Sequence, residues 1–121
     1  MSKKILVVED TEDNRQILRD LLGMAGYTLV EAVDGAEGVA KAAEHKPDLI
    51  LMDIQMPIMD GYEATRRIKA DPALAAIPAI AVTSYALSGD EQKARAAGCD
   101  GYIAKPYSPR QMLAKVREIL G

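Results

Sequence analysis

One cysteine, Cys99, and one histidine, His45, are all that this chain of 121 residues holds of those two residue types. An internal disulfide and a cysteine cluster are thereby excluded, and so are most zinc sites and any repeated-histidine chemistry. Phenylalanine and tryptophan are absent, which leaves five tyrosines as the aromatic residues. No apolar run approaches the ~20 residues needed to span a bilayer. Positive charge is not in excess: Lys and Arg number 15 against 18 Asp and Glu, a formal net charge of -3. That balance argues against broad electrostatic attraction to nucleic acid or to an anionic membrane. The N-terminus passes from Lys3-Lys4 directly into the short apolar run Ile5 to Val8, well below the ~7–15 apolar residues of a signal peptide. A cytoplasmic location is expected, with no nucleic-acid or membrane partner.

What is present suits one compact domain over residues 1–121: 49% of the residues are hydrophobic and 27% charged, enough for a packed core and a soluble surface. The apolar residues fall into two alternating patterns. Short continuous runs at Ile5 to Val8, Leu49 to Met52, Ala79 to Val82 and Tyr102 to Ala104 read as buried parallel strands, and Thr28 to Ala32 as a weaker fifth. Helical spacing lies between and after them. One expected face joins Ile17, Leu18, Leu21 and Leu22, a second Val39, Ala40 and Ala43, and a third Met112, Leu113, Val116, Ile119 and Leu120. Tyr62 to Ala70 and Leu87 to Ala97 complete the helices, with Asp10 or Thr11 as candidate caps of the first. Breakers such as Asp34-Gly35, Lys46-Pro47 and Asp60-Gly61 fill the gaps. Five strand-then-helix repeats predict an α/β fold, a doubly wound five-stranded parallel sheet with right-handed crossovers.

In such a sheet, ligands bind beyond the carboxyl ends of the strands. The first strand ends in Glu9-Asp10, the third at Asp53 and the fourth at Thr83, and Lys105-Pro106 follows the fifth. Taken singly, each residue reads as a helix cap or a solvated turn. Together at one sheet edge they form a charge problem with a chemical solution. Three clustered carboxylates raise one another's pKa or demand counter-charge. One divalent ion and one lysine neutralise them, and Mg2+ prefers such carboxylates together with water and phosphate oxygens. A carboxylate held beside that ion is a nucleophile for phosphoryl transfer, with Asp53 on the central strand the best placed. The Thr83 hydroxyl is then available to bond the transferred group.

Four stretches carry a family resemblance: "VVED" at Val7 to Asp10, "LMDIQMPIMDG" at Leu51 to Gly61, "VTSYA" at Val82 to Ala86 and "YIAKP" at Tyr102 to Pro106. In these motifs and their spacing the chain resembles the receiver domains of bacterial response regulators, the CheY-like family, over essentially its whole length. Asn14-Arg15 and "GCDGYIAKPY" at Gly98 to Tyr107 make it similar in flavour to single-domain receivers of the DivK type and to receivers of hybrid histidine kinases. The resemblance implies a flavodoxin-like (βα)5 sheet in the order 2-1-3-4-5. It implies Mg2+ bound by Glu9 (through water), Asp10, Asp53 and the Gln55 backbone carbonyl. It also implies phosphorylation of Asp53, a catalytic trio of Asp53, Lys105 and Thr83, and a switch pair of Thr83 and Tyr102. Lys105-Pro106 is implied to be a cis peptide. Glu9 departs slightly, since many relatives carry Asp there. A receiver of this type catalyses its own phosphorylation and slow dephosphorylation and is no conventional enzyme. Its expected partners are a histidine kinase or histidine phosphotransfer protein as donor and a downstream protein as target.

Two other functions fit less well. An aspartyl-phosphate phosphatase of the haloacid-dehalogenase type needs a second Asp two residues after the nucleophile, where this chain has Gln55. A flavodoxin-like electron carrier needs aromatics for its flavin and a phosphate-cradling loop after the first strand, and the acidic run Glu9 to Asp13 would repel phosphate unless a metal intervened. Among weaker candidates, Gln55 and Tyr85 stand where residues border the phosphate in this family. Cys99 reads as a small buried hydrophobe, and His45 as a cation near a helix end.

Overall fold

The computed structural model describes residues 3–54, 56, 59–83 and 90–120. Five strands and five helices alternate: β1 (Lys4–Val8), α1 (Glu12–Met24), β2 (Thr28–Ala32), α2 (Gly35–His45), β3 (Leu49–Asp53), α3 (Gly61–Ala70), β4 (Ala79–Thr83), α4 (Asp90–Ala96), β5 (Gly101–Ala104) and α5 (Pro109–Leu120). All pairings are parallel, in the order β2-β1-β3-β4-β5. The expected class and strand order are both observed. The expected strands and helices are all found, within a residue or so at most ends; for the fourth helix, residues 87–89 lie outside the described set.

The continuous apolar runs exist because both sheet faces are covered. Alternate residues of each strand enter opposite cores. Leu6, Val8, Ile50, Met52, Ala79 and Ala81 face one layer with Ala42 of α2, Ala64 and Ile68 of α3 and Ala94 of α4. Ile5, Val7, Leu49, Leu51, Ile80 and Val82 face the other with Leu18 and Leu22 of α1 and Met112 and Val116 of α5. Cys99 is buried, as expected, and its thiol donates to Thr65 Oγ1 at 3.8 Å.

Two helix faces differ from expectation. On α1, Leu18 and Leu22 are buried but Ile17 is 55% exposed, so the buried stripe is narrower than the apolar pattern. On α2 the buried residues are Gly35, Gly38 and Ala42, with Val39 packed at the edge, whereas Ala40 and Ala43 face outward. The cause is proximity. A Cβ on Gly38 would lie 2.9 Å from a Val8 methyl, so α2 sits too close to β1 for larger residues, and glycine acts here as the core residue. The first helix also begins differently. Thr11 occupies its cap position without a side-chain cap bond, and its hydroxyl turns instead toward Asp10 Oδ1 at 3.5 Å. Asp34 and Asp60, by contrast, accept from the third backbone N–H of α2 and α3 at 2.8 and 2.9 Å. Among the described residues, no helix is long and apolar enough to cross a membrane.

Candidate functional site

Strand order reverses at β1 and β3: the chain leaves β1 toward β2 on one side, then returns to place β3 on the other. Register does the rest. Val7 lies beside Leu51 and Val8 beside Met52, so the next residues of the two strands, Glu9 and Asp53, emerge together at the carboxyl edge. Both carboxylates are almost fully buried, at 4% exposure each. Asp10, one residue on, is exposed. One carboxylate oxygen from each of Glu9, Asp10 and Asp53 lies within 4.8 Å of the others. From the far side of β4, Lys105 extends its Nζ to 3.3 Å from Glu9 Oε1 and 3.5 Å from Asp53 Oδ1. Its backbone N–H donates to the Thr83 carbonyl at 2.6 Å, which ties the loop after β5 to the end of β4. Lys105-Pro106 is cis. The structure therefore brings together Glu9, Asp10, Asp53 and Lys105. Gln55, expected to supply a backbone carbonyl, and Tyr85 lie outside the described residues.

Thr83 is 1% exposed at the end of β4 and registers with Ala104 of β5. Tyr102 registers with Ala81, two residues below. Paired residues of parallel strands share a face, so Thr83 and Tyr102 stand on the same side of the sheet, the side covered by α4.

Although Asp10 is exposed as a residue, partial desolvation of its carboxyl at the rim is the first cause that pushes it above its ordinary value, followed by hydrogen bonding to and repulsion from Glu9; attraction to Lys105 offsets this only in part. A hard divalent cation suits this donor set: three carboxylates are close enough to share it, and one lysine alone cannot neutralise them. The raised value fixes a sign. The folded state holds the Asp10 proton more tightly than the unfolded chain, so this residue's contribution to stability falls as pH rises through its titration and stays unfavourable above it. In metal-free protein at neutral pH, Asp10→Asn is therefore expected to raise Tm slightly, with the gain shrinking as pH falls through the raised Asp10 titration and absent below the ordinary carboxylate range. The same variant should lose most of the stabilisation that magnesium confers on the wild type. A thermal melt series with and without magnesium across pH checks both; a lower Tm at neutral pH without metal would contradict the crowding of charge.

Asn14, Arg15 and Tyr107 entered the sequence reading only through the likeness to DivK-type receivers, with no role at the site. Arg15 Nη1 donates to the Glu9 carbonyl at 2.7 Å, and Arg15 also pairs with Glu12 and Glu31. Asn14 Nδ2 donates to Glu9 Oε1 at 3.0 Å. Tyr107 lines a small cavity with Glu9, Asp53 and Lys105, and burial, then the Glu9 and Asp53 charges, push its hydroxyl pKa up. Gly61, at the start of α3, closes the floor: a Cβ there would stand 2.3 Å from the Asp53 carbonyl oxygen.

A sequence model described as the response regulator receiver domain matches residues 5–117. The chain belongs to the response regulator receiver domain family. The receiver is 44% identical over 121 residues to the polar-differentiation response regulator DivK of Brucella anthropi, an alignment that covers 100% of this chain and 98% of that protein. Among solved structures, it is similar to the chemotaxis protein CheY4 of Vibrio cholerae, with a TM-score of 0.94 at 29% identity over 98% of this chain and 99% of that one. It is also similar to the receiver domain of a sensor histidine kinase from Pseudomonas aeruginosa, with a TM-score of 0.92 at 35% identity over 100% and 99% of the two chains. That structure holds a magnesium ion coordinated in its active site cleft. The receiver is thus a response regulator module of two-component signalling, with an acidic pocket that fits magnesium.

Proposed function

We propose that this receiver, acting as one domain over residues 1–121 in the cytoplasm, accepts a phosphoryl group on Asp53 and thereby changes a protein-binding face. The observation that carries the reading is the Asp53 carboxylate, buried at the switch point with Lys105 at 3.5 Å and two further carboxylates beside it. In the transfer, an Asp53 carboxylate oxygen attacks the phosphorus of a phosphohistidine on a histidine kinase or histidine phosphotransfer protein. The P–O bond forms as the P–N bond breaks, and the imidazole leaves with the electron pair and takes up a proton. Glu9 (through water), Asp10, Asp53 and the Gln55 carbonyl would hold the magnesium ion, which supplies charge neutralisation at the phosphoryl oxygens. Lys105 pairs with those oxygens as it gives up its place between Glu9 and Asp53. The donor's approach is served by an open groove of about 570 Å³ lined by Asn14, Ile17, Lys105, Pro106 and Tyr107. The receiver catalyses only its own phosphorylation and slow dephosphorylation.

The signal leaves through Thr83 and Tyr102. The Thr83 hydroxyl bonds the phosphoryl group and moves toward it, and the Tyr102 ring follows on the same sheet face, so α4, β5 and α5 present a different outer surface to a downstream protein. A differential of ~1–3 kcal/mol between two existing states is enough to change partner affinity about 5–150-fold. The test uses a small-molecule phosphodonor with magnesium. Intact mass should show one added phosphoryl group, and NMR should show β5 resonances moving in wild type and much less in Thr83→Ala. No mass gain would sink the modification; equal movement in both proteins would remove Thr83 as the relay.

A further inference from the structure

Glu9 has a longer, more flexible side chain than an aspartate, yet its carboxylate occupies one defined place in a nearly water-free pocket. Among the described residues, three donors hold it. The Thr11 backbone N–H reaches Oε2 at 3.4 Å, Lys105 Nζ reaches Oε1 at 3.3 Å, and Asn14 Nδ2 reaches the same Oε1 at 3.0 Å. Of these three, the Asn14 contact is the shortest and the one at ordinary hydrogen-bond length. Lys105 is also shared with Asp53 at 3.5 Å, so its hold on Glu9 is divided. The main chain is anchored separately, since Arg15 Nη1 grips the Glu9 carbonyl at 2.7 Å. What remains free to turn is the glutamate arm.

We propose that Asn14 is a positioning residue that keeps the Glu9 carboxylate aimed into the acidic pocket, and so sets the receiver's affinity for magnesium. The inference rests on the reading of Glu9, Asp10 and Asp53 as the metal site. Asn14 sits in the first turns of α1, which brings its carboxamide over the end of β1. Its NH2 group must face Glu9, because the amide oxygen would set two acceptors against each other. As an uncharged donor it orients the carboxylate without cancelling the charge that attracts the cation. It also has no competing role at Asp53. When Lys105 leaves Glu9 for a phosphoryl group, Asn14 remains as the side-chain donor on Oε1. An aspartate at position 9, one methylene shorter, would not carry its oxygen to Asn14, so the two residues form a matched pair.

The experiment is a double-mutant cycle read by NMR titration with magnesium chloride, without phosphodonor. Asn14→Ala is expected to weaken magnesium binding about tenfold, as loss of a hydrogen bond to a charged group implies. In a Glu9→Asp background the same change should alter affinity by less than about twofold, because the contact is already gone. Equal losses in both backgrounds, or none in the wild-type background, would overturn the pairing while leaving the metal site standing. Failure of the wild-type protein to bind magnesium would overturn both. A thermal melt of Asn14→Ala should remain near wild type, since the side chain is half-buried on a helix surface and fills no core position.

Discussion

Asp53→Asn is expected to take up no phosphoryl group from a small phosphodonor under conditions where the wild type gains one. Asparagine has nearly the same shape as aspartate, so it keeps the packing of a residue 4% exposed between Glu9 and Val82's strand end. It lacks the anionic oxygen that attacks phosphorus and cannot form an acyl phosphate. Neighbouring groups offer no substitute: Glu9 is tied to Asn14 and Lys105, and Asp10 stands exposed at the rim. The linkage in the wild type should survive acid and be lost in alkali. The folded state should not suffer, because one of three crowded carboxylates has been neutralised and Lys105 still meets Glu9. Intact mass with alkaline treatment, alongside a thermal melt, makes the check. Undiminished modification of Asp53→Asn, or a label on serine, threonine or tyrosine, would show the phosphoryl acceptor to be elsewhere.

Gly61→Ala is expected to damage both the fold and the site. Helix propensity alone argues the other way, since alanine is favoured over glycine by ~1 kcal/mol inside a helix. The surroundings decide the sign. A Cβ at Gly61 would lie 2.3 Å from the Asp53 carbonyl oxygen and 2.8 Å from the Ile54 Cα, and both atoms are backbone. A side chain in the way can rotate aside; these atoms yield only if the end of β3 or the start of α3 shifts. The Gly61 N–H to Ile54 carbonyl bond, 3.1 Å, couples the two and would be stretched. Overpacking of this kind costs about 2–3 kcal/mol, which for a domain of this size lowers Tm by roughly 10 °C. Because the displaced atoms carry Asp53, phosphorylation should slow as well. A melt and a phosphorylation time course test it. An unchanged or higher Tm would mean that α3 does not press on the strand end as closely as described.

The sequence by itself was sufficient for the architecture. Five apolar runs separated by helical patterns and breakers can satisfy their backbones only as a parallel sheet covered on both faces, and the strand-end residues Glu9, Asp10, Asp53 and Lys105 mark one edge wherever the strands are placed in the order seen. Asp34-Gly35 and Asp60-Gly61 were legible only as breaks in the pattern; that Asp34 and Asp60 cap α2 and α3 is seen in the structure. What the tertiary structure decided were distances between segments far apart in the chain. Periodicity put Ala40 and Ala43 in the core, but how near α2 lies to the sheet determines which of its faces is buried, and that depends on Gly38 meeting Val8. The grip of Asn14 and Arg15 on Glu9 was equally invisible: it arises where the start of α1 folds back over the end of β1, and no pattern of residue types states that angle. Residue identity along the chain selects the fold and gathers the charges at one edge; the contacts that aim those charges depend on packing angles that only the assembled layers define.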